Sequence, residues 1–107
     1  MNQTDLQNFF NDSTGLPRTI TLFREAGLRT LLLHLKPGEQ IPEHQTRGAI
    51  SVQCLKGETT FSSGSEQVVL KAGSLIALPP AAPHSLIAQQ ETLLLITVSE
   101  QAPSVSA

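Results

Sequence analysis

An all-β fold, a sandwich or barrel of antiparallel strands, is what this chain predicts, and three observations predict it. From Arg18 onward, apolar and β-branched residues recur in short runs with a period of two. Turn-forming Gly, Pro, Asn, Asp and Ser interrupt those runs about every eight to twelve residues. Only one segment, near the N-terminus, follows a helical spacing. About eight or nine short strands in one small chain suit a double-sheet jelly roll, an architecture that manages exposed sheet edges.

The helical segment comes first. Thr4, Asp5, Leu6 and Gln7 fit a capping box, and Leu6, Phe9 and Phe10 then share one side of about two turns of helix. Asn11 to Gly15 end it with turn residues. Ile20 and Leu22 alternate with Thr19 and Thr21 in the first strand, and Glu25-Ala26-Gly27 makes a short hairpin loop. The next strand runs from about Leu28 to Lys36. Its Leu31, Leu32 and Leu33 are apolar on both faces, which predicts cover on both sides, by a second sheet or by a partner subunit. Pro37-Gly38 ends it.

A strand region from Gln40 to Gly57 follows, then a hairpin around Ser63-Gly64-Ser65. Gly73 turns the chain into Leu75 to Leu78. The prolines at 79, 80 and 83 cannot lie in a central strand, because proline donates no ladder hydrogen bond. His84 to Ala88 and Thr92 to Val98 complete the set. The division expected is an N-terminal arm with a short helix (1–17), a barrel (18–99) and a flexible tail (100–107).

At 107 residues the chain is one domain, able to bury roughly 65% of its unfolded surface without covalent staples. A single cysteine, Cys54, cannot close an intramolecular disulfide. The formal charge of −2 and the scattering of the seven basic residues exclude a nucleic-acid face from the expected partners. No apolar run reaches the ~18 residues of a membrane span, and the N-terminus lacks a leader pattern, so a cytoplasmic protein is expected. Phe9, Phe10, Phe23 and Phe61 are the only aromatics, which counts against stacking platforms for sugars or single-stranded nucleic acid.

Two stretches share one design, a glycine turn, a strand and a histidine. The first reads Gly38, five residues, His44, Thr46, three residues, Ile50, six residues, Gly57. The second reads Gly73, five residues, Pro79, Ala81, two residues, His84, three residues, Ala88. In this register the chain resembles a small single-domain cupin of the RmlC-like type. The family's first motif is Gly, five residues, His-x-His, three or four residues, Glu, six residues, Gly. Its second is Gly, five residues, Pro-x-Gly, two residues, His, three residues, Asn. The resemblance covers roughly Leu28 to Val98. It implies a double-stranded β-helix (jelly-roll) cupin barrel with a short N-terminal helix, and a homodimer.

It also implies a site. Metal-binding cupins hold their ion with both histidines and the glutamate of the first motif and the histidine of the second. This chain keeps His44 and His84 and carries Thr46 and Ile50 where the other two ligands stand. Alternation places His44, Thr46, Ile50, Val52 and Cys54 on one inward strand face, with Gln40 sharing the parity of His44. Three readings stay open. In the first, His44, Thr46, Gln40, Ile50 and His84 form a pocket for a small molecule. In the second, an oxygenase or isomerase uses Fe, Mn, Zn or Ni held by His44 and His84, with His34 as a third ligand; His34 reads equally as a structural or interface residue. In the third, the barrel is an oligomerisation unit with a vestigial cavity. Cys54 reads as inert core and Arg47 as a solvated charge.

Overall fold

The computed structural model describes residues 1–13 and 15–100; the expected tail lies outside them from residue 101 on. One helical turn, α1 (Gln7–Phe10), precedes nine strands: β1 (Thr19–Glu25), β2 (Leu28–Leu35), β3 (Gln40–His44), β4 (Ile50–Lys56), β5 (Glu58–Ser63), β6 (Glu66–Lys71), β7 (Leu75–Leu78), β8 (His84–Ala88) and β9 (Thr92–Ser99). A five-stranded sheet in the order β1-β2-β9-β4-β7 faces a four-stranded sheet in the order β3-β8-β5-β6. All the pairings are antiparallel, as a jelly roll requires.

The helix is shorter than its pattern suggests, and the capping box does not form. The helix starts at Gln7, no side chain caps Leu6, and Asp5 Oδ1 accepts from the Gln7 amide at 3.0 Å. None of its residues is buried, so no packed face favours a second turn.

Inside the sandwich, alternate residues of each strand meet. Leu31, Leu33 and Leu35 from β2, Val52 and Cys54 from β4, Phe61 from β5 and Leu94 from β9 form one buried cluster. Leu32 points to the other face of the same sheet and is fully buried within the single chain. The doubly apolar Leu31–Leu33 run is therefore covered internally on both sides. Of the two kinds of cover expected for it, the chain itself supplies both sides.

Two glycines fix the path of the chain around the site. A Cβ on Gly48 would overlap the Ser99 carbonyl, so only glycine lets the β3–β4 connection press against β9. Gly57, at φ +91°, turns β4 into β5, and a Cβ there would overlap the Glu91 carbonyl in the same way.

Candidate functional site

His44 and His84 stand opposite one another on β3 and β8. Their rings meet edge-on, with centroids 4.2 Å apart and planes at 64°. Phe61 stacks nearly parallel to the His84 ring at 5.8 Å. His84 Nδ1 lies 3.0 Å from the Ala82 carbonyl, and His44 Nδ1 lies 3.1 Å from the Pro42 carbonyl. A carbonyl oxygen only accepts, so each Nδ1 carries the ring proton. The Nε2 lone pair of each ring has no protein partner among the described residues and is available to a ligand.

Desolvation lowers the pKa of His84 below its usual value; the Ala82 carbonyl opposes this and the neighbouring His44 adds to it. His84 is thus neutral at pH 7 and acts as an acceptor.

The two rings line a cavity of about 260 Å³ between the sheets. Its walls are mostly apolar, with Leu31, Leu33, Ile41, Val52, Leu86 and Ile96 among them. Thr46 lines it as well, and its hydroxyl donates to the Gly48 carbonyl at 2.9 Å, which leaves its oxygen lone pairs free. Ile50 is 4% exposed and fills the wall where a carboxylate stands in the family pattern.

His44 and Ile50 do not share a strand as the alternation suggested. The chain leaves the four-stranded sheet after His44 and enters the five-stranded sheet at Ile50; both line the cavity, His44 as an exposed residue at its surface and Ile50 buried. Cys54, also inward, is fully buried, and desolvation raises its thiol pKa, so it is inert core.

Two other expected residues lie elsewhere. Gln40 is exposed and lines a shallow outer groove instead of the cavity. The cause is an irregularity in β3: Ile41 pairs with Leu86 and His44 with His84, so three steps on one strand match two on the other. Pro42, which has no N–H to place in the ladder, sits in this bulge and inverts the parity. Gln40 therefore loses the face it was assigned.

His34 points to the outer face of the five-stranded sheet, level with Leu93 and Lys56. Its Nε2 donates to Glu91 Oε2 at 3.1 Å, and Lys56 Nζ bonds Glu91 Oε1 at 2.9 Å and Ser13 Oγ at 3.0 Å. Since paired positions share a face, His34 is separated from His44 and His84 by the sheet itself and cannot complete their ligand set.

One cavity residue escaped the sequence reading. Arg29 lies on β2 with the parity of Leu31 and Leu33 and carries the only formal charge among the lining residues. Its Nε is buried and has no hydrogen-bond partner among the described residues. An unsatisfied buried donor costs roughly 1–3 kcal/mol, more when charged. The signal was present: extending the inward alternation of β2 back from Leu31 reaches Arg29.

The family pattern for a cupin domain matches residues 31–99. The chain belongs to the cupin family. Its fold matches a Thermus thermophilus protein at a TM-score of 0.77 and 24% identity, over 96% of this chain and 100% of that one. A conserved Streptococcus pyogenes protein of unknown function matches at 0.72 and 25% identity, over 79% of this chain and 75% of that one. An RmlC-like cupin from Shewanella frigidimarina matches at 0.73 and 20% identity, over 78% and 75%. No curated protein sequence matches the chain.

The metal that cupins commonly hold does not fit these residues. Two imidazoles reach the cavity, Thr46 and Ile50 replace the other ligands, and no cluster of three His, Cys, Asp or Glu side chains occurs among the described residues. Zinc and iron sites normally draw three or four ligands from the protein.

Proposed function

We propose that this cupin is a small-molecule-binding protein whose ligand occupies the cavity between the sheets. The observation that supports this reading is the His44–His84 pair, with both Nδ1 protons committed to backbone carbonyls and both Nε2 lone pairs free, lining a mostly apolar chamber. Small-ligand sites have this character, mostly apolar walls with a few polar groups that set orientation. The rings accept hydrogen bonds from a hydroxyl or amine of the ligand, Thr46 adds a third acceptor, and Ile50 and Phe61 shape the chamber.

The protein acts, in this reading, as a cytoplasmic homodimer. The surface for the second copy is the free edge of β1, which ends the five-stranded sheet. No helix among the described residues is long and apolar enough to cross a membrane.

One preparation tests both parts. Protein purified without a His-tag, run over a sizing column with light scattering and metal analysis of the same peak, is expected to weigh two chains. It is also expected to carry substoichiometric metal and to keep its thermal stability after chelation. Stoichiometric iron, manganese, zinc or nickel, lost in both His44→Ala and His84→Ala, would replace this reading with a metal enzyme. A mass of one chain at micromolar concentration would remove the dimer.

A further inference from the structure

We infer that the ligand of the cavity is a small carboxylate with an apolar body, anchored by Arg29; this rests on the binding reading above and names its chemistry. Arg29 pairs with Val98 across β2 and β9, and Val98 pairs with Ile50 across β9 and β4. The three lie in one row of the five-stranded sheet, and all three line the cavity. Two strand spacings put the Arg29 backbone roughly 10 Å from that of Ile50. Arg29 thus meets the chamber from the sheet that faces the two histidines.

Arg29 is only partly satisfied by the protein, its side chain 32% exposed and in a long ion pair with Glu100. Its Nε is buried with no hydrogen-bond partner among the described residues. The ion pair with Glu100, at 3.9 Å, is too long to be a hydrogen bond. Glu100 is drawn instead to Arg24, at 3.1 Å. A guanidinium held in this state matches the planar two-oxygen geometry of a carboxylate. Charge balance favours a carboxylate over a phosphate. One negative charge neutralises Arg29, whereas a phosphate dianion leaves an excess charge beside apolar walls and Glu100.

The complementarity runs through the whole chamber. The histidines offer acceptors from one sheet and Arg29 offers donors from the other, in a cavity also lined by leucines, isoleucines and Phe61. A hydroxy- or amino-substituted carboxylate would use both.

The test measures binding of short-chain aliphatic carboxylates, benzoate and phenylacetate, each paired with its primary amide, by NMR shifts of backbone amides in β2, β3 and β8. At least one carboxylate is expected to bind roughly tenfold more tightly than its amide. Arg29→Gln should abolish that preference, Arg29→Lys should restore part of it, and Glu100→Gln should tighten carboxylate binding. If Arg29→Gln fails to fold, the wild-type ratio and Glu100→Gln decide the matter. Equal affinity of carboxylates and amides for the cavity would overturn the carboxylate assignment and leave the binding reading standing. No cavity shift with any probe at millimolar concentration would overturn both.

Discussion

The outer face of the five-stranded sheet and the cavity between the sheets use histidine in opposite ways. On the outer face His34 donates its Nε2 proton to Glu91, and Glu91 is shared with Lys56, which also reaches Ser13 of the N-terminal arm. Across the inner cavity, His44 and His84 give their Nδ1 protons to backbone carbonyls and keep Nε2 uncommitted. The first arrangement uses the ring's polar capacity to tie parts of the chain together. The second withholds it. A buried donor left without a partner costs stability, so the unpaired Arg29 Nε, beside a cavity that the buried His84 and the exposed His44 also line, is consistent with a site shaped for something outside the chain.

The sharpest way to break this contrast is to rebuild the missing metal ligands inside. Thr46→His with Ile50→Glu restores the family's four-ligand pattern around His44 and His84. Without metal, the double variant is expected to lose about 3 kcal/mol or more, because the new carboxylate replaces an isoleucine that is 4% exposed. Saturating zinc or manganese should then recover stability; a ligand at a hundred times its Kd contributes about 2.7 kcal/mol. Denaturant unfolding with and without metal checks this. An equal metal-induced gain in the wild-type protein would mean that two histidines suffice, and the cavity would have to be reassigned.

The fold was legible because turn chemistry and period-two alternation are local properties, and Gly27, Pro37-Gly38, Gly57, Gly64, Gly73 and Pro79-Pro80 each separate two strands. The site was legible only where alternation ran undisturbed. His44 and His84 are paired because their motif spacings place both on neighbouring strands facing one space. Gln40 was misplaced by a single extra residue at Pro42, since one inserted position reverses every parity before it. Arg29 was passed over because the three successive leucines after it hide the alternation to which it belongs. His34 lies on the outer face, between inward Leu33 and Leu35, yet its fate depended on Glu91, 57 positions away, which no local pattern reveals.

A smaller effect sharpens the comparison through pH. His84 has a native pKa below its unfolded value of 6.5, chiefly from desolvation. Between those two values the unfolded chain binds more protons, so stability rises with pH there. The contribution is fully present above 6.5 and is lost as pH falls through the native pKa. His84→Asn should flatten this part of the stability curve and also remove the ring stack on Phe61, worth about 1 kcal/mol at neutral pH. A curve as steep as wild type just below pH 6.5, measured by urea unfolding, would mean that His84 does not titrate there.

The smallest effect lies on the outer face, at lower pH. Hydrogen bonds from Lys56, His34 and Ser13 lower the pKa of Glu91 from 4.5 to about 2. Its native state holds fewer protons than the unfolded chain across that interval, so its contribution is present above pH 4.5 and is lost as pH falls to about 2. The Glu91 side chain is 36% exposed, so solvent screening limits the loss on Glu91→Gln to about 0.5–1 kcal/mol at neutral pH. The variant should also speed amide exchange around Ser13, because the residues that secure the arm to the sheet lose their shared acceptor, while exchange in β3 and β8 stays unchanged. Faster exchange at His44 and His84 in this variant would show that the two faces are coupled, and that the division between a fastening histidine and two available ones is drawn in the wrong place.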